Sequence, residues 1–239
     1  SRRQPRRRAH LAAPRLGGSL TATGLDLARL GPGTLDASFS AERSLVRFDS
    51  WMLAIGPNTL TGDLSVDLDA RTLDGTLAAV VPRVSLLAGA LPPQWRPEGS
   101  VRLEATLGGT LDSPSADVRL SAGTIDLAGQ RVGPLDASLR LVDRTVVVER
   151  FDLAQGPGRL GLTGRYSLDS GRYTVATTGR GLAVRRITPV AIPLPGDPVE
   201  TADAGKPAVI PLEAVFDLDL DGEGTLDAPR AHGSLRVSD

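Results

Sequence analysis

At 239 residues the chain is long enough for one large domain or two ordinary ones with a sizeable core. Its formal net charge of −1 supplies no global field that would recruit nucleic acid or anionic lipid. The absence of cysteine excludes disulfides, thiolate metal sites and cysteine nucleophiles, and no apolar run reaches the roughly 18 residues of a transmembrane helix.

No signal peptide is legible. The chain opens on Ser1 and stops in mid-pattern at Ser238-Asp239, which reads as a segment excised from something longer. Apolar residues make up 41% of the chain, yet aromatics only 3%. A β-sandwich fills its core with large rings, and a membrane barrel needs aromatic girdles at both interfaces. A chain rich in Leu, Val and Ala but poor in rings is unusual for a core that fills itself.

Residues 1–16 form a basic leader or a truncated strand, with Arg2, Arg3, Arg6, Arg7, Arg8 and Arg15 set among Pro5 and Pro14. Without neighbouring aromatics this cluster lacks the stacking platforms that nucleic-acid bases need, and a solvated linker is the simpler reading. Residues 17–188 alternate apolar and polar side chains in short runs broken by Gly, Pro, Asp and Asn, the pattern of strands and turns. Leu64, Val66 and Leu68 fall on one face of such a run, and Val101, Leu103 and Leu107 on one face of the next. The same holds for Val118 with Leu120, for Ile125 with Leu127, and for Leu135, Leu139 and Leu141. Leu160, Leu162 and Leu168 continue the series. An apolar stretch over Thr76–Leu91 allows a short helix, limited by Pro82 and by Pro92-Pro93. Residues 189–211 are a proline-rich insertion or linker. Residues 212–239 start a further β unit, in which Phe216, Leu218, Leu220, Leu235 and Val237 alternate again.

Internal similarity organises this pattern. Gly109-Thr110-Leu111-Asp112-Ser113-Pro114 returns as Gly224-Thr225-Leu226-Asp227-Ala228-Pro229, and Gly33-Thr34-Leu35-Asp36-Ala37 is related to both. Leu35-Asp36-Ala37-Ser38-Phe39 matches Leu135-Asp136-Ala137-Ser138-Leu139, and Arg47-Phe48-Asp49 is echoed by Arg150-Phe151-Asp152. Gly56-Pro57 with Leu60-Thr61-Gly62 is echoed by Gly156-Pro157 with Leu162-Thr163-Gly164. The order of features recurs about a hundred residues on, as in a repeated multi-strand unit whose third copy is cut short at Asp239.

The stretches LGGTLDSPSADVRLSAGTIDL (107–127), GPLDASLRLVDRTVVVERFDLAQGPGRLGLTGRY (133–166) and DLDLDGEGTLDAPRAHGSLRV (217–237) resemble the C-terminal β-repeat region of TamB-like proteins, with AsmA-like members similar in style. The shared pattern is a G-T-L-x-x-P turn followed by a strand of the G-x-L-x-V type, and it covers roughly Gly17–Asp239 apart from the proline-rich insert. The resemblance implies an all-β fold: a long curled, antiparallel-rich sheet forming an open taco-like groove with an apolar concave face. It implies a periplasmic position in a parent protein anchored in the bacterial inner membrane. The implied partners are phospholipid acyl chains, carried between inner and outer membranes, and an outer-membrane barrel protein of the TamA/BamA kind engaged through regions outside this chain. No cofactor, metal or catalytic residue is implied, and the aliphatic residues named above become the expected lipid-lining positions.

Three motifs with chemical overtones read more simply as structure. Asp217-Leu218-Asp219-Leu220-Asp221-Gly222 imitates the start of a calcium-binding loop, but its twelfth position is Ala228 where a bidentate Glu is needed, and the interleaved leucines indicate a strand. Gly156-Pro157-Gly158-Arg159-Leu160-Gly161 formally fits G-x-G-x-x-G but runs on into strand rather than helix, so a hairpin turn is expected. His10 and His232 have no serine nucleophile or metal-ligand spacing around them. Two competing classes remain: a structural or adhesive β-solenoid with a self-filled core, and a polysaccharide-active β enzyme with paired acids and aromatic platforms.

Overall fold

The computed structural model describes residues 15–26, 32–86, 97–127, 130–187, 210–225 and 227–238. They form a single antiparallel sheet of thirteen strands and a separate two-stranded hairpin, with no α-helix. The sheet begins with β1 (Arg15–Asp26), β2 (Pro32–Glu42), β3 (Leu45–Ile55), β4 (Asn58–Asp67) and β5 (Thr72–Val81). It continues through β6 (Val101–Gly109) and β7 (Pro114–Ala122). The chain then leaves for the small hairpin of β8 (Ile125–Leu127) and β9 (Gln130–Val132). It returns as β10 (Leu135–Val142), β11 (Thr145–Gln155), β12 (Gly158–Ser167) and β13 (Arg172–Ile187), and ends with β14 (Ile210–Thr225) and β15 (Ala228–Ser238). Every strand pairs with the next sheet strand in chain order, and β1 and β15 each have one neighbour, so the sheet is not closed. At about 4.8 Å per strand, thirteen strands extend roughly 58 Å along the hydrogen-bonding direction.

Two-residue hairpins hold consecutive strands in register. In Gly56-Pro57 and Gly156-Pro157 the glycines have φ of 58° and 56°, as a glycine at the first central position of a type II′ hairpin requires. At the opposite end of the strands, neighbouring turns bond to one another. The Leu68 N–H donates to the Ser44 carbonyl at 2.9 Å, and the Leu168 N–H donates to the Arg144 carbonyl at 2.8 Å. This end carries only short turns, whereas the excursions over 82–100 and 123–134 leave and re-enter the sheet at the Gly-Pro end.

The repeat is visible in the coordinates. β2–β7 and β10–β15 are two six-strand units, offset by 100 residues through β13 and by 115 in β14 and β15. Bulges recur at matched places: the pairing shifts between Phe48 and Trp51 in β3, and between Val148 and Phe151 in β11. The Gly109–Pro114 turn and the Gly224–Pro229 turn occupy equivalent positions, each opening with a positive-φ glycine paired to a proline.

Two expectations are corrected. Thr76–Val81 is strand, hydrogen-bonded to both β4 and β6, and a 3-10 turn at Val84–Leu86 follows it, while residues 87–91 lie outside the described residues; its period-two partners outweigh any helical pattern. Gly33–Ala37 is no turn but the start of β2, equivalent to Gly133–Ala137 and not to Gly109–Ser113. Of the domain boundaries, residues 15 and 16 already lie in β1, and Ile210 and Pro211 lie in β14. The remainder of the basic leader, including His10, and residues 189–209 of the insertion fall outside the described residues, as does Thr188 before it. β14 pairs with β13, so the last two strands belong to the same sheet as the rest.

Candidate functional site

Directly paired residues in an antiparallel sheet lie on the same side, about 4.5–5.5 Å apart at Cβ, so the register sorts every strand residue into a cross-strand row. One row runs Leu103, Leu120, Ala137, Phe151, Leu162. Followed outward in both directions it crosses all thirteen strands, from Ala22 to Gly233, and Thr177 is its one hydroxyl. The row containing Trp51, Leu77, Val118, Leu139 and Val148 also spans from β1 to β15 without a charged or hydroxylated side chain. A third joins Phe39, Phe48, Leu64, Leu107 and Leu141, and continues through the Tyr166–Tyr173 pair.

Rows at the alternate positions are polar. Glu104, Arg119, Ser138 and Arg150 form one. In the next, the Arg140 guanidinium bridges the Asp117 carboxylate at 2.8 Å and the Glu149 carboxylate at 3.1 Å. These carboxylates help to hold the Arg140 pKa above its ordinary value, the hydrogen bond to Asp117 contributing most. Near the short-turn end, Asp67 accepts the N–H groups of Asp69 and Ala70 at 2.9 and 3.0 Å. The Ala70 bond is the main cause that lowers the Asp67 pKa. Arg71 grips Asp112 with two hydrogen bonds, 2.7 and 3.2 Å, and keeps that carboxyl below the usual range.

Among the described residues no second layer of strands makes extensive contact with the aliphatic rows. Apart from the β9–β11 contact, the extensive strand contacts are all between sheet neighbours. No large side chain is fully buried, and Leu20 and Leu235, in the two edge strands, are 51% and 61% exposed. The few buried apolar residues are small or sit beside the long connections: Val81, Ala122, Ala154 and Leu182.

The expected lining positions divide as follows. Leu64, Val66, Val101, Leu103, Leu107, Val118, Leu120, Leu135, Leu139, Leu141, Leu160 and Leu162 share the aliphatic side of the sheet. Phe216, Leu218, Leu220, Leu235 and Val237 join them. Leu68 and Leu168 sit in the turns after β4 and β12, off the rows, and Ile125 and Leu127 belong to the small hairpin. The aliphatic side also holds Leu35, Phe39, Phe48, Trp51, Leu53 and Phe151, which the sequence pattern did not single out. For Phe48, Trp51 and Phe151 the signal is hidden by the bulges: two polar residues, Asp49-Ser50 or Glu149-Arg150, separate the flanking apolar ones and break the strict alternation, whereas Leu35 and Phe39 alternate plainly in β2.

The calcium-like aspartates lie along β14 with different neighbours. Asp217 accepts the Gly181 N–H at 2.8 Å, Asp219 faces Arg180, and Asp221 lies 3.8 Å from the His232 imidazole. Gly156-Pro157 is the hairpin turn expected, and strand follows it. Among the described residues no group of three or more His, Asp or Glu is placed to hold a metal ion, and no helix is long and apolar enough to cross a membrane. No protein-family model matches the chain, and neither a curated protein nor a solved structure does.

Proposed function

We propose that the aliphatic rows line an open groove that shelters the acyl chains of phospholipid, in the manner of the TamB/AsmA-like proteins the sequence resembles. In this reading the sheet curves about its aliphatic side, the chain lies in the periplasm within a parent protein anchored in the inner membrane, and lipid passes along the rows between inner and outer membranes. Support for outer-membrane barrel assembly is a second role of the same protein. The observation that carries the proposal is the continuity of the rows through thirteen strands with no second layer against them among the described residues.

The physical argument is one of matched surfaces. Exposing an acyl chain to water costs about 0.8 kcal/mol per methylene, or roughly 12 kcal/mol for sixteen carbons. Leu, Val, Ala and Phe side chains offer cover without specific polar contacts, so a chain can shift from one row to the next. The strand direction is crossed by polar rows only on the other side, where Arg, Asp, Glu and Ser meet water. A self-filled solenoid is less well supported, because its stacked repeats would enclose fully buried leucines, and no large side chain is fully buried here.

The test is site-specific photo-crosslinking of the chain exported to the bacterial periplasm. Benzoylphenylalanine at Leu103, Leu120, Leu139 or Leu162 should yield phospholipid adducts by mass spectrometry, while the same probe at Arg119 or Thr163 should not. Equal labelling of both sets, or none in either with expression intact, would remove the proposal.

A further inference from the structure

The repeat separates side chains that the sheet needs from side chains that one unit alone carries. Residues of β11–β13 match those of β3–β5 at an offset of 100, and residues of β14 and β15 match those of β6 and β7 at 115. One contrast lies on the polar side of the second unit, near the short-turn end. Arg165 of β12, Arg172 of β13 and Arg230 of β15 line an open cavity of about 580 Å³, with Glu223 of β14 as its one carboxylate. Thr145, Ser167 and Thr174 also line it. In the first unit the arginines are replaced by Ser65, Thr72 and Ser115, and the three hydroxyl residues by Leu45, Asp67 and Asp74. Gly108 stands where the second unit has Glu223. Both units build the same sheet, so pairing and packing do not require the arginines.

The register gathers the charge on interior strands. Arg165 pairs with Thr174, and Arg172 pairs with Thr225, so the two arginines are diagonal neighbours on adjacent strands, about 7–8 Å apart. β11, β12, β13 and β14 are each paired on both sides. Among the described residues none of Arg165, Arg172 and Arg230 forms an ion pair. Nearby acids are engaged by other arginines: Arg140 holds Glu149 at 3.1 Å, and Arg144 holds Asp169. Elsewhere on the polar side charges are set against each other, as where Arg119 stands directly opposite Glu104. Like charges on adjacent strands repel, and an anion placed between them removes that repulsion.

We propose that Arg165 and Arg172, with the hydroxyls of Ser167 and Thr174 beside them, form a binding site for a phosphate group, to which Arg230 adds attraction from β15. A phosphate offers enough oxygens to accept from two guanidinium forks and from hydroxyls at the same time, whereas a carboxylate is occupied by one fork. The site opens on the polar side of the sheet, opposite the aliphatic rows, and does not depend on what those rows shelter. The phosphate reaches it either free in solution or as the headgroup of an anionic lipid surface lying against the polar side.

The experiment uses the 239-residue chain in two arms. In one, inorganic phosphate is added while the arginine Nε–H resonances are followed by NMR; in the other, the chain is sedimented with vesicles of phosphatidylglycerol or of phosphatidylcholine. Saturable shifts at Arg165 and Arg172, ahead of Arg102 and Arg119, identify free phosphate as the ligand. Retention on phosphatidylglycerol vesicles without such shifts identifies the headgroup. In either case Arg165→Ser with Arg172→Thr, which installs the first unit's residues, should weaken binding about tenfold or more while thermal unfolding is unchanged. Arg165→Lys with Arg172→Lys keeps the charge but removes the planar forks, and should also bind more weakly than the native chain. Arg102→Ser with Arg119→Ser removes the same charge elsewhere on the polar side and should leave binding intact. No response in either arm, shifts spread evenly over the polar-side arginines, or equal losses from the two serine-containing double variants would each overturn the proposal.

Discussion

The first six-strand unit, β2–β7, and the second, β10–β15, reach the same arrangement with different residues at matched places. In the first, Gly75 stands between Leu64 and Leu107; in the second, Val175 stands between Gly164 and Gly222. Large and small have exchanged places along the row, so that in both units each of these cross-strand pairs sets a large side chain beside a glycine. The ends of the strands show the same freedom. In the first unit the Asn58 amide, only 4% exposed, bonds both backbone groups of Arg83 at 3.2 Å, fastening the chain where it leaves β5. In the second, Gln155 does this for Ala183, at 2.8 and 2.9 Å, from the other side of the Gly-Pro turn. Ala183 is the equivalent of Arg83, whereas Gln155 is the equivalent of Ile55. What persists between the units is the alternation of large against small on neighbouring strands and a satisfied backbone at the rim, not a residue at a position.

That comparison can be broken most forcefully at Gly222. A Cβ there would lie 2.8 Å from a Val175 methyl, so Gly222→Leu should destabilise the chain by about 1–3 kcal/mol, as overpacking does. Adding Val175→Gly restores the first unit's residues at these two positions and should recover at least half of the loss, seen as a coupling energy in chemical denaturation. Strict additivity of the two changes would show that the two positions do not compensate each other.

A smaller effect is expected at the amide clamps. Asn58→Ala leaves the Arg83 N–H without its partner and its carbonyl with only the Leu86 N–H at 3.3 Å, and should cost about 1–2 kcal/mol, with faster hydrogen exchange at the Arg83 N–H. Installing Ile55→Gln in that variant copies the second unit and should restore the protection. Gln155→Ala should expose the Ala183 N–H in the same way, with a milder loss because Gln155 is only half-buried. Protection at Arg83 that ignores the Ile55→Gln rescue would argue against a shared design.

The smallest difference is in acid. Asp67 caps the turn after β4, and its place in the second unit is taken by Ser167, whose Oγ accepts the Ser170 N–H at 3.3 Å. The Asp67 and Asp112 pKa values are lowered in the fold, so their contribution is present above the ordinary carboxylate range of about 3.9 and is lost as the pH falls through the lower folded values. Amide exchange at Asp69 and Ala70 should therefore quicken below pH of about 4, while Ser170 stays unchanged. Matching acid responses in the two turns would mean that the carboxylates are not what holds the first.

Much of this was legible before any coordinates. Alternation in Val101–Leu107 and Leu135–Leu141 marked strands with one aliphatic side, and Gly56-Pro57 and Gly156-Pro157 marked hairpins. The hundred-residue echo of Leu35–Phe39 in Leu135–Leu139 marked the repeat. The bulged strands were read poorly. Trp51 is three residues from Phe48 rather than two, which is out of phase for strict alternation, although both lie on the same side of the sheet. Leu68 and Leu168 misled in the opposite sense, keeping the phase of the preceding strand after the strand had ended.

The sequence by itself determined that the chain is β, which residues are candidates for the aliphatic side, and where most hairpins turn, because side-chain alternation and turn chemistry act over a few neighbouring residues. Only the tertiary structure decided that all but two strands share one open sheet, that bulges preserve the sides across a shift of phase, and that the apolar residues align in rows from edge to edge. Those are properties of register, and register is set between strands, by pairs of residues such as Phe39–Phe48, 9 positions apart in the chain, and Gly179–Leu218, 39 apart.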